Sequence, residues 1–152
     1  MSRAKPRDNT RNGVRENPER VYQEWDKALT NSDAAALLAL YAPDAVIESP
    51  VIPHLLGTKR GICQGHAEIR ALIDEVVRRK PDARKFFRTP YLTDGKTLMW
   101  EYPRETPADD QMDFVEVMEL NDAGLIQKHR VYWGWCGVEV LQADSYHRSE
   151  AS

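Results

Sequence analysis

Two runs of alternating apolar and polar residues, separated by a turn sequence, stand out in the second half of the chain. The turn is Asn121-Asp122-Ala123-Gly124, in which Gly124 is free to take a positive φ. Period-two alternation on both sides of it predicts two long strands over residues 112–140. One face of this predicted hairpin carries Phe114, Glu116, Met118 and Leu120 before the turn, and His129, Val131, Trp133 and Trp135 after it.

A carboxylate and an imidazole therefore lie on an otherwise apolar face. If Leu120 pairs with Leu125 across a four-residue loop, Glu116 directly faces His129. Side chains in such cross-strand positions are close enough to interact. A slip of one residue would move one of the two to the opposite face, so the register decides whether the pair forms.

The first half of the chain has the spacing of amphipathic helices. Asn17-Pro18 predicts the start of the first helix, because Asn suits the N-cap and Pro the first helical position. Asn31-Ser32-Asp33 ends this helix and caps a second one over Ala34 to Tyr41. The clearest apolar stripe predicts a third helix from His66 to Lys80.

The segments between these helices predict a strand and a loop. Ala45 to Glu48 reads as a short strand, ended by Ser49-Pro50. Residues 50–64 contain two prolines and two glycines among exposed-looking aliphatic residues, and predict an irregular connection. A loop this apolar must cover something, and a lid over a pocket is one answer.

Strands follow the third helix, and their order sets the fold class. Arg84 to Leu92 and Lys96 to Arg104 are predicted as two further strands ahead of the hairpin. Helices followed by a run of antiparallel strands indicate an α+β fold. We therefore expect three N-terminal helices packed on a strongly curved antiparallel sheet. This single domain spans residues 17–141, between a disordered basic tail at 1–16 and a polar C-terminal tail at 142–152.

Charge and composition remove several classes of function. The 152 residues carry a formal net charge of −3, which gives no footprint for nucleic acid or an anionic membrane. No apolar run approaches the length of a membrane span and no signal core is present, so we expect a cytoplasmic protein. Cys63 and Cys136 suit a reducing compartment. The four histidines lack metal-ligand spacing, so neither a metal nor another cofactor is predicted.

Three local strings resemble the nuclear-transport-factor-2-like superfamily, and within it the SnoaL-like group of polyketide cyclase and ketosteroid isomerase relatives. They are Leu40-Tyr41-Ala42-Pro43-Asp44-Ala45-Val46-Ile47-Glu48, Gly65-His66-Ala67-Glu68-Ile69-Arg70 and Asn121-Asp122-Ala123-Gly124-Leu125-Ile126. The resemblance covers roughly residues 18–141. It implies a cone-shaped half-open barrel with an interior pocket for a small, mostly apolar molecule, and a homodimer formed through the outer sheet face.

The functional positions of ketosteroid isomerase carry over only in part. That enzyme uses an Asp base beside an oxyanion hole made of a Tyr and a protonated Asp. The resemblance places the base at Ser49, the tyrosine at Trp25 and the protonated acid at Glu116. Since the base is replaced, ketosteroid isomerase activity by that mechanism is disfavoured.

Glu116 and His129 are the candidate catalytic residues. Burial disfavours the charged form of a carboxyl, so Glu116 is a candidate general acid or hydrogen-bond donor. His129 is a candidate general base, its ring held by Glu116, with a substrate proton or water on the other nitrogen. The alternative is a pair whose members merely satisfy each other in the core. The candidate substrate-binding residues are Tyr22, Trp25, Ser49, His54, Trp100, Tyr102, Met118, Val131 and Trp133.

Three hypotheses for the function stay open. The first is a cofactor-free isomerase, cyclase, dehydratase or hydrolase that acts on a small hydrophobic or polycyclic molecule by general acid–base catalysis. The second is a non-catalytic binding module with the same aromatic cavity. The third is a dimeric interaction protein in which the outer sheet face matters most. None of the three involves nucleic acid or a membrane.

Overall fold

A computed structural model of the chain describes residues 10–79, 90–105, 111–134, 139 and 141–143. The elements in chain order are α1 (Thr10–Thr30), α2 (Ala34–Ala39), β1 (Tyr41–Glu48), α3 (Val51–Leu56), β2 (Ile62–Gln64), α4 (Gly65–Arg79), β3 (Leu92–Thr93), β4 (Thr97–Glu105), β5 (Gln111–Leu120) and β6 (Ile126–Trp133). The predicted α+β class is confirmed. Residues 84–89 of the strand expected before Leu92 lie outside the described residues.

The strands in the described part of the chain form one six-stranded sheet that does not close on itself. Its order is β2-β1-β6-β5-β4-β3. Strands β3 to β6 form an antiparallel meander, and β2 is antiparallel to β1. Strand β1, however, runs parallel to β6. The prediction of a wholly antiparallel sheet is therefore wrong, because the sheet is mixed.

Helix α1 begins earlier in the chain than the sequence predicts. It starts at Thr10 and contains Pro18 in its interior, so the predicted start at Asn17 is wrong. Residues 10–16 belong to this helix and not to the disordered tail that the sequence predicts. A proline within a helix removes one backbone hydrogen bond, and α1 continues through that loss.

The junction of α1 with α2 agrees with the prediction at its cap. The Asp33 side chain accepts a hydrogen bond from the backbone N–H of Ala36 at 2.9 Å. This is the N-cap interaction that Asp favours. Helix α2 ends at Ala39, however, so Tyr41 opens strand β1 instead of closing the helix.

The predicted loop over residues 50–64 contains both a helix and a strand. Pro50 is the N-cap of α3, and Pro53 lies in its first turn, where a backbone N–H has no helical partner in any case. The described part of the chain thus holds helix α3 in addition to the three predicted helices. The segment does cover apolar structure, since Val51, Ile52 and Leu55 are buried.

The core lies between the helices and one face of the sheet. Trp100 of β4 meets α1 edge-on, with ring centroids 5.2 Å from Tyr22 and 5.5 Å from Trp25. Helix α4 adds the buried residues Ile69, Leu72 and Ile73. No helix in the described ranges is both long and apolar enough to span a bilayer.

Helix α1 also contacts the turn between β5 and β6. The Arg20 guanidinium donates a hydrogen bond to the Gly124 carbonyl at 2.7 Å. Gly124 has a φ of 75°, and a Cβ added to it would lie 2.6 Å from the nearest Asn17 side-chain atoms. Glycine therefore suits the backbone conformation of the turn, and a side chain at this position would require the Asn17 side chain to move.

Candidate functional site

The register of β5 against β6 differs by two residues from the predicted one. Glu116 lies opposite Val131, and His129 lies opposite Met118, with an irregularity in the pairing next to the turn. The prediction that Glu116 directly faces His129 is therefore wrong. Because side chains alternate with period two, a shift of two residues keeps both groups on the same face of the sheet.

Glu116 and His129 meet as diagonal neighbours on this inner face. His129 Nε2 lies 2.5 Å from Glu116 Oε2. His129 is 4% exposed and Glu116 is 3% exposed, so neither is solvated. The contact between carboxyl and imidazole that the sequence predicts is present, although the geometry that produces it is different.

A third polar side chain, Tyr41, completes a hydrogen-bonded chain with this pair. The Tyr41 hydroxyl lies 2.8 Å from His129 Nδ1. The parallel pairing of β1 with β6 produces this contact, since it sets Tyr41 beside Ile126 and Ile47 beside His129. Both ring nitrogens of His129 are therefore engaged by protein groups, whereas the sequence hypothesis assigned one of them to a substrate proton or water.

Sequence reasoning missed Tyr41 because it assigned this residue to the end of α2. Tyr41, Ala45 and Ile47 are separated by even numbers of residues and are all buried, but Pro43 between them is exposed and Ala42 is buried. Alternation along the sequence therefore gave no clear signal that the strand begins at Tyr41. The partner strand could not be read from the sequence, because β1 and β6 are far apart in the chain.

The electrostatic environment keeps the Tyr41 hydroxyl protonated. Burial, followed by the negative charge of Glu116, raises the pKa of Tyr41 far above its usual range. A hydrogen bond between the Trp25 side chain and Tyr41 lowers the pKa in part. Because the indole N–H can only donate, the Tyr41 oxygen accepts this bond.

A cavity of about 90 Å³ lies against this chain of polar groups. Its lining residues are Trp25, Leu29, Leu37, Tyr41, Ile47, Ser49, Val51, Leu72, Ile73, Val76, Phe114, Glu116, His129, Val131 and Trp133. Tyr41, Glu116 and His129 are the titratable members of this lining, and Ser49 adds a hydroxyl. The Ser49 oxygen accepts a hydrogen bond from the Val51 N–H at 3.3 Å. The rest of the wall is apolar apart from the indole nitrogens.

Six of the candidate residues named from the sequence line this cavity: Trp25, Ser49, Glu116, His129, Val131 and Trp133. The structure does not bring Tyr22, His54, Trp100 or Met118 to its lining. Tyr22 packs in the core with its ring tilted against that of Tyr91, 4.9 Å away between centroids, and Met118 is fully buried. The Tyr102 side chain lies outside the described residues.

The apolar wall supplied by the helices was missed as a site feature. Leu72, Ile73 and Val76 come from α4, where periodicity marks them as core residues without saying that a cavity borders them. Across the described ranges, no three His, Cys, Asp or Glu side chains are grouped so that they could hold a metal ion.

Helices packed on an open mixed sheet, with a polar chain against an apolar cavity, define a small α+β protein of the nuclear-transport-factor-2-like class. The model of the SnoaL-like domain family matches residues 21–129. The chain therefore belongs to the SnoaL-like domain family. No match was found among curated proteins.

Solved structures similar to this chain share its fold at low sequence identity. A SnoaL-like protein of unknown function from Burkholderia thailandensis has a TM-score of 0.66 at 21% identity, covering 78% of this chain and 95% of that one. SalBIII, described as an epoxide hydrolase/cyclase-like enzyme in pyran ring formation in polyether salinomycin, has a TM-score of 0.63 at 20% identity, with coverage of 81% and 95%. A steroid delta-isomerase from Pseudomonas aeruginosa has a TM-score of 0.64 at 19% identity, with coverage of 85% and 88%. At these identities the likeness establishes the fold alone.

Proposed function

We propose that this protein binds a small, mostly apolar molecule in the cavity and transforms it by cofactor-free acid–base chemistry. The observation that carries the proposal is the chain of Tyr41, His129 and Glu116, which borders a cavity with a largely apolar wall. Burying three polar groups is costly unless each is hydrogen-bonded, and apolar side chains would fill the same space at less cost. Such an arrangement is typical of sites that handle protons.

In this proposal His129 moves protons between its neighbours and does not touch the substrate with a free nitrogen. Both ring nitrogens are engaged, so the groups that meet the ligand are Glu116 and Tyr41. Ser49 adds a hydroxyl at the cavity wall. Isomerisation, cyclisation, dehydration and water addition all remove a proton at one atom and deliver one at another, which a hydrogen-bonded acid–base chain can do.

The fold relatives support this range of reactions without choosing among its members. One is described as an epoxide hydrolase/cyclase-like enzyme and another as a steroid delta-isomerase. For this chain, the hydrophobic or polycyclic nature of the substrate and the absence of a cofactor stay predictions, as does a cytoplasmic location.

A thermal-shift screen of polycyclic ketones, polyketide-like aromatics, terpenoid epoxides and fatty acids tests the proposal. Specific binding raises the melting temperature with ligand concentration. The screen compares wild type with Glu116→Gln, and with Glu119→Gln as a matched control, since Glu119 lies on the same strand but pairs with Arg130. We expect hits that Glu116→Gln weakens and Glu119→Gln leaves unchanged. The absence of hits in all four classes, or equal effects of both variants, would contradict the proposal.

A non-catalytic binding module is the second candidate, and one observation favours it. Because protein groups engage both nitrogens of His129, the pair with Glu116 is already satisfied without a ligand. Turnover assays on the hits separate the two cases. If the site is catalytic, His129→Asn abolishes turnover while binding survives; if it only binds, no hit is converted by wild type.

We also propose a homodimer formed through the outer face of the sheet. Leu92, Met99 and Val117 lie side by side on that face, followed by Arg130, and Tyr132 lies beside Val115, whose other neighbour is Glu101. Leu92 is 65% exposed, Tyr132 54% and Met99 39%. A row of exposed apolar side chains across adjacent strands is a common feature of protein interfaces.

A further inference from the structure

The hydrogen bonds around the Tyr41 oxygen limit where its proton can go. His129 Nδ1 lies 2.8 Å from this oxygen, and the Trp25 indole is its other polar neighbour. The tyrosine carries a single hydroxyl proton, which cannot be given to Trp25 because an indole N–H accepts nothing. Two directions are left: His129 Nδ1, or the cavity that Tyr41 lines.

The charge state of His129 decides between these two directions. In the neutral ring, Nδ1 accepts from Tyr41 and the proton resides on Nε2, which donates to the Glu116 carboxylate. Every proton of the chain is then used within the protein. In the protonated ring, Nδ1 carries a proton as well and must donate it to the Tyr41 oxygen, which has a second lone pair for it.

We propose that Tyr41 is a proton-gated hydrogen-bond donor to the ligand. Protonation of His129 turns the Tyr41 hydroxyl into the cavity, where it binds a single acceptor oxygen of a small apolar ligand, such as a carbonyl, ether or epoxide. The inference rests on the proposed function, since it requires a ligand in this cavity. It has a measurable consequence, which is that binding of an oxygen-bearing ligand takes up a proton from solution.

The surroundings of His129 allow this change of charge. Tyr41 on β1 and Glu116 on β5 are the titratable groups that face it. Helix α1 contributes the Trp25 ring, 6.5 Å away between ring centroids, and the lining residues from α3 and α4 are apolar. Lys128 and Arg130 flank His129 in the sequence and so lie on the opposite face of β6, where Lys128 is exposed and Arg130 pairs with Glu119. Within the described lining of the cavity, the Glu116 carboxylate is thus the charged group in contact with His129, and no Lys or Arg side chain is present.

The test compares two probes of nearly equal shape, cyclohexanone and methylenecyclohexane. The second replaces the carbonyl oxygen by a CH₂ group and cannot accept a hydrogen bond. Titration calorimetry is run at several pH values from about 6 to 9, each in two buffers of different ionisation enthalpy. We expect a pH interval in which proton uptake approaches one per bound cyclohexanone, and no uptake at any pH for methylenecyclohexane. The affinity for the ketone should fall by up to about tenfold for each further pH unit.

Tyr41→Phe provides the matched variant, because it removes the hydroxyl and keeps the ring. We expect it to bind cyclohexanone no more tightly than methylenecyclohexane, without proton uptake, while its affinity for methylenecyclohexane stays that of wild type. Nitrogen-15 NMR of the wild-type imidazole gives a reading that needs no variant. His129 should carry its proton on Nε2 in the free protein and on both nitrogens with cyclohexanone bound.

The outcomes separate this inference from the proposed function. Ketone binding without proton uptake, or unchanged ketone binding by Tyr41→Phe, would overturn the gating role of Tyr41 and leave small-molecule binding standing. Binding of neither probe to wild type would overturn both. An imidazole whose protonation is the same with and without cyclohexanone would overturn the gating alone.

Discussion

The side chains that surround Glu116, His129 and Tyr41 are mostly apolar, yet each of these three residues has a polar partner. His129 joins the other two, so removal of its ring would leave a buried carboxyl and a buried hydroxyl without their shared partner. A buried polar group left unsatisfied typically costs about 1–3 kcal/mol. The same residues that define the site are therefore also expected to contribute to stability, and activity assays on variants need a stability measurement beside them.

The raised pKa of Tyr41 predicts a specific loss of stability in alkali. Above about pH 10 the unfolded chain releases the tyrosine proton while the folded protein keeps it. The unfolded state then binds fewer protons, so the free energy of unfolding falls with pH, by up to about 1.4 kcal/mol per unit. The contribution of Tyr41 to stability is fully present below the usual tyrosine pKa. It is lost as the pH rises through the pKa of Tyr41 in the folded protein. Denaturant titrations of wild type and Tyr41→Phe from about pH 9 to about pH 11.5 measure how the free energy of unfolding changes with pH.

Tyr132→Phe is the control for that experiment, because it also removes a tyrosine hydroxyl but at an exposed position. A Tyr41→Phe curve that runs parallel to wild type would contradict the prediction.

At the residue scale, the sequence predicted the contact between Glu116 and His129, but it did so from a wrong strand register. Glu116 and His129 were paired through a register that the structure does not have. The two side chains still meet because the register error is two residues. Side chains alternate between the two faces of a strand, so an even shift keeps both groups on the same face. Tyr41 could not be paired in the same way, since its partner strand is set by tertiary structure and not by a turn.

Among the secondary-structure elements, the contact of helix α1 with the β5–β6 turn holds the hairpin against the helices. Arg20 and Asn17 on α1 both reach Gly124. This turn ends the two strands that carry Glu116 and His129, so the contact also supports the site.

Gly124→Ala is expected to destabilise the protein by more than Gly57→Ala. Both glycines have positive φ, 75° and 64°, so both substitutions strain the backbone, by roughly 1–2 kcal/mol each. A Cβ at Gly57 meets nothing within 4 Å, whereas one at Gly124 meets Asn17 at 2.6 Å. The difference in unfolding free energy between the two variants therefore isolates the contact between turn and helix. Equal losses would show that this contact adds nothing to stability.

Element boundaries were hardest to predict at prolines, because a proline is compatible with a helix boundary, with a loop and with the first turn of a helix. Pro18 and Pro53 were taken to start or interrupt structure, and both lie within helices. In α3 the proline occupies the first turn, where its missing N–H costs little. A helix is therefore possible in a segment whose prolines and glycines predicted an irregular loop. The end of α2 was placed correctly to within two residues, yet this small error concealed Tyr41.

For the molecule as a whole, the outer sheet face gives a testable prediction about assembly. Tyr132→Asp places a charge in the exposed apolar row and should shift the protein from dimer to monomer in light scattering coupled to size-exclusion chromatography. Ala67→Asp, at an exposed position on α4, is the control and should leave the mass unchanged. A wild-type protein that is monomeric at every concentration tested would contradict the proposed dimer.

The class of the fold followed from the order of helical and strand patterns, whereas the mixed sheet did not. Period-two alternation shows that β1 and β6 are strands, but it carries no information about which strand neighbours which. The parallel pairing depends on how the helices between β1 and β4 pack, and that is a property of the whole chain.

The parallel pairing of β1 with β6 also has a consequence for how the chain folds. Tyr41 and His129 are 88 residues apart in sequence, so their contact closes a long loop. Closing such a loop costs chain entropy before any contact repays it, and folds rich in distant contacts form slowly. On the ribosome, helices α1 and α2 emerge first and strand β1 can pair with β2 soon afterwards, but its parallel pairing waits until β6 has been synthesised. The acid–base chain should therefore be among the last features of the molecule to form, and a chain released before residue 129 would have no site at all.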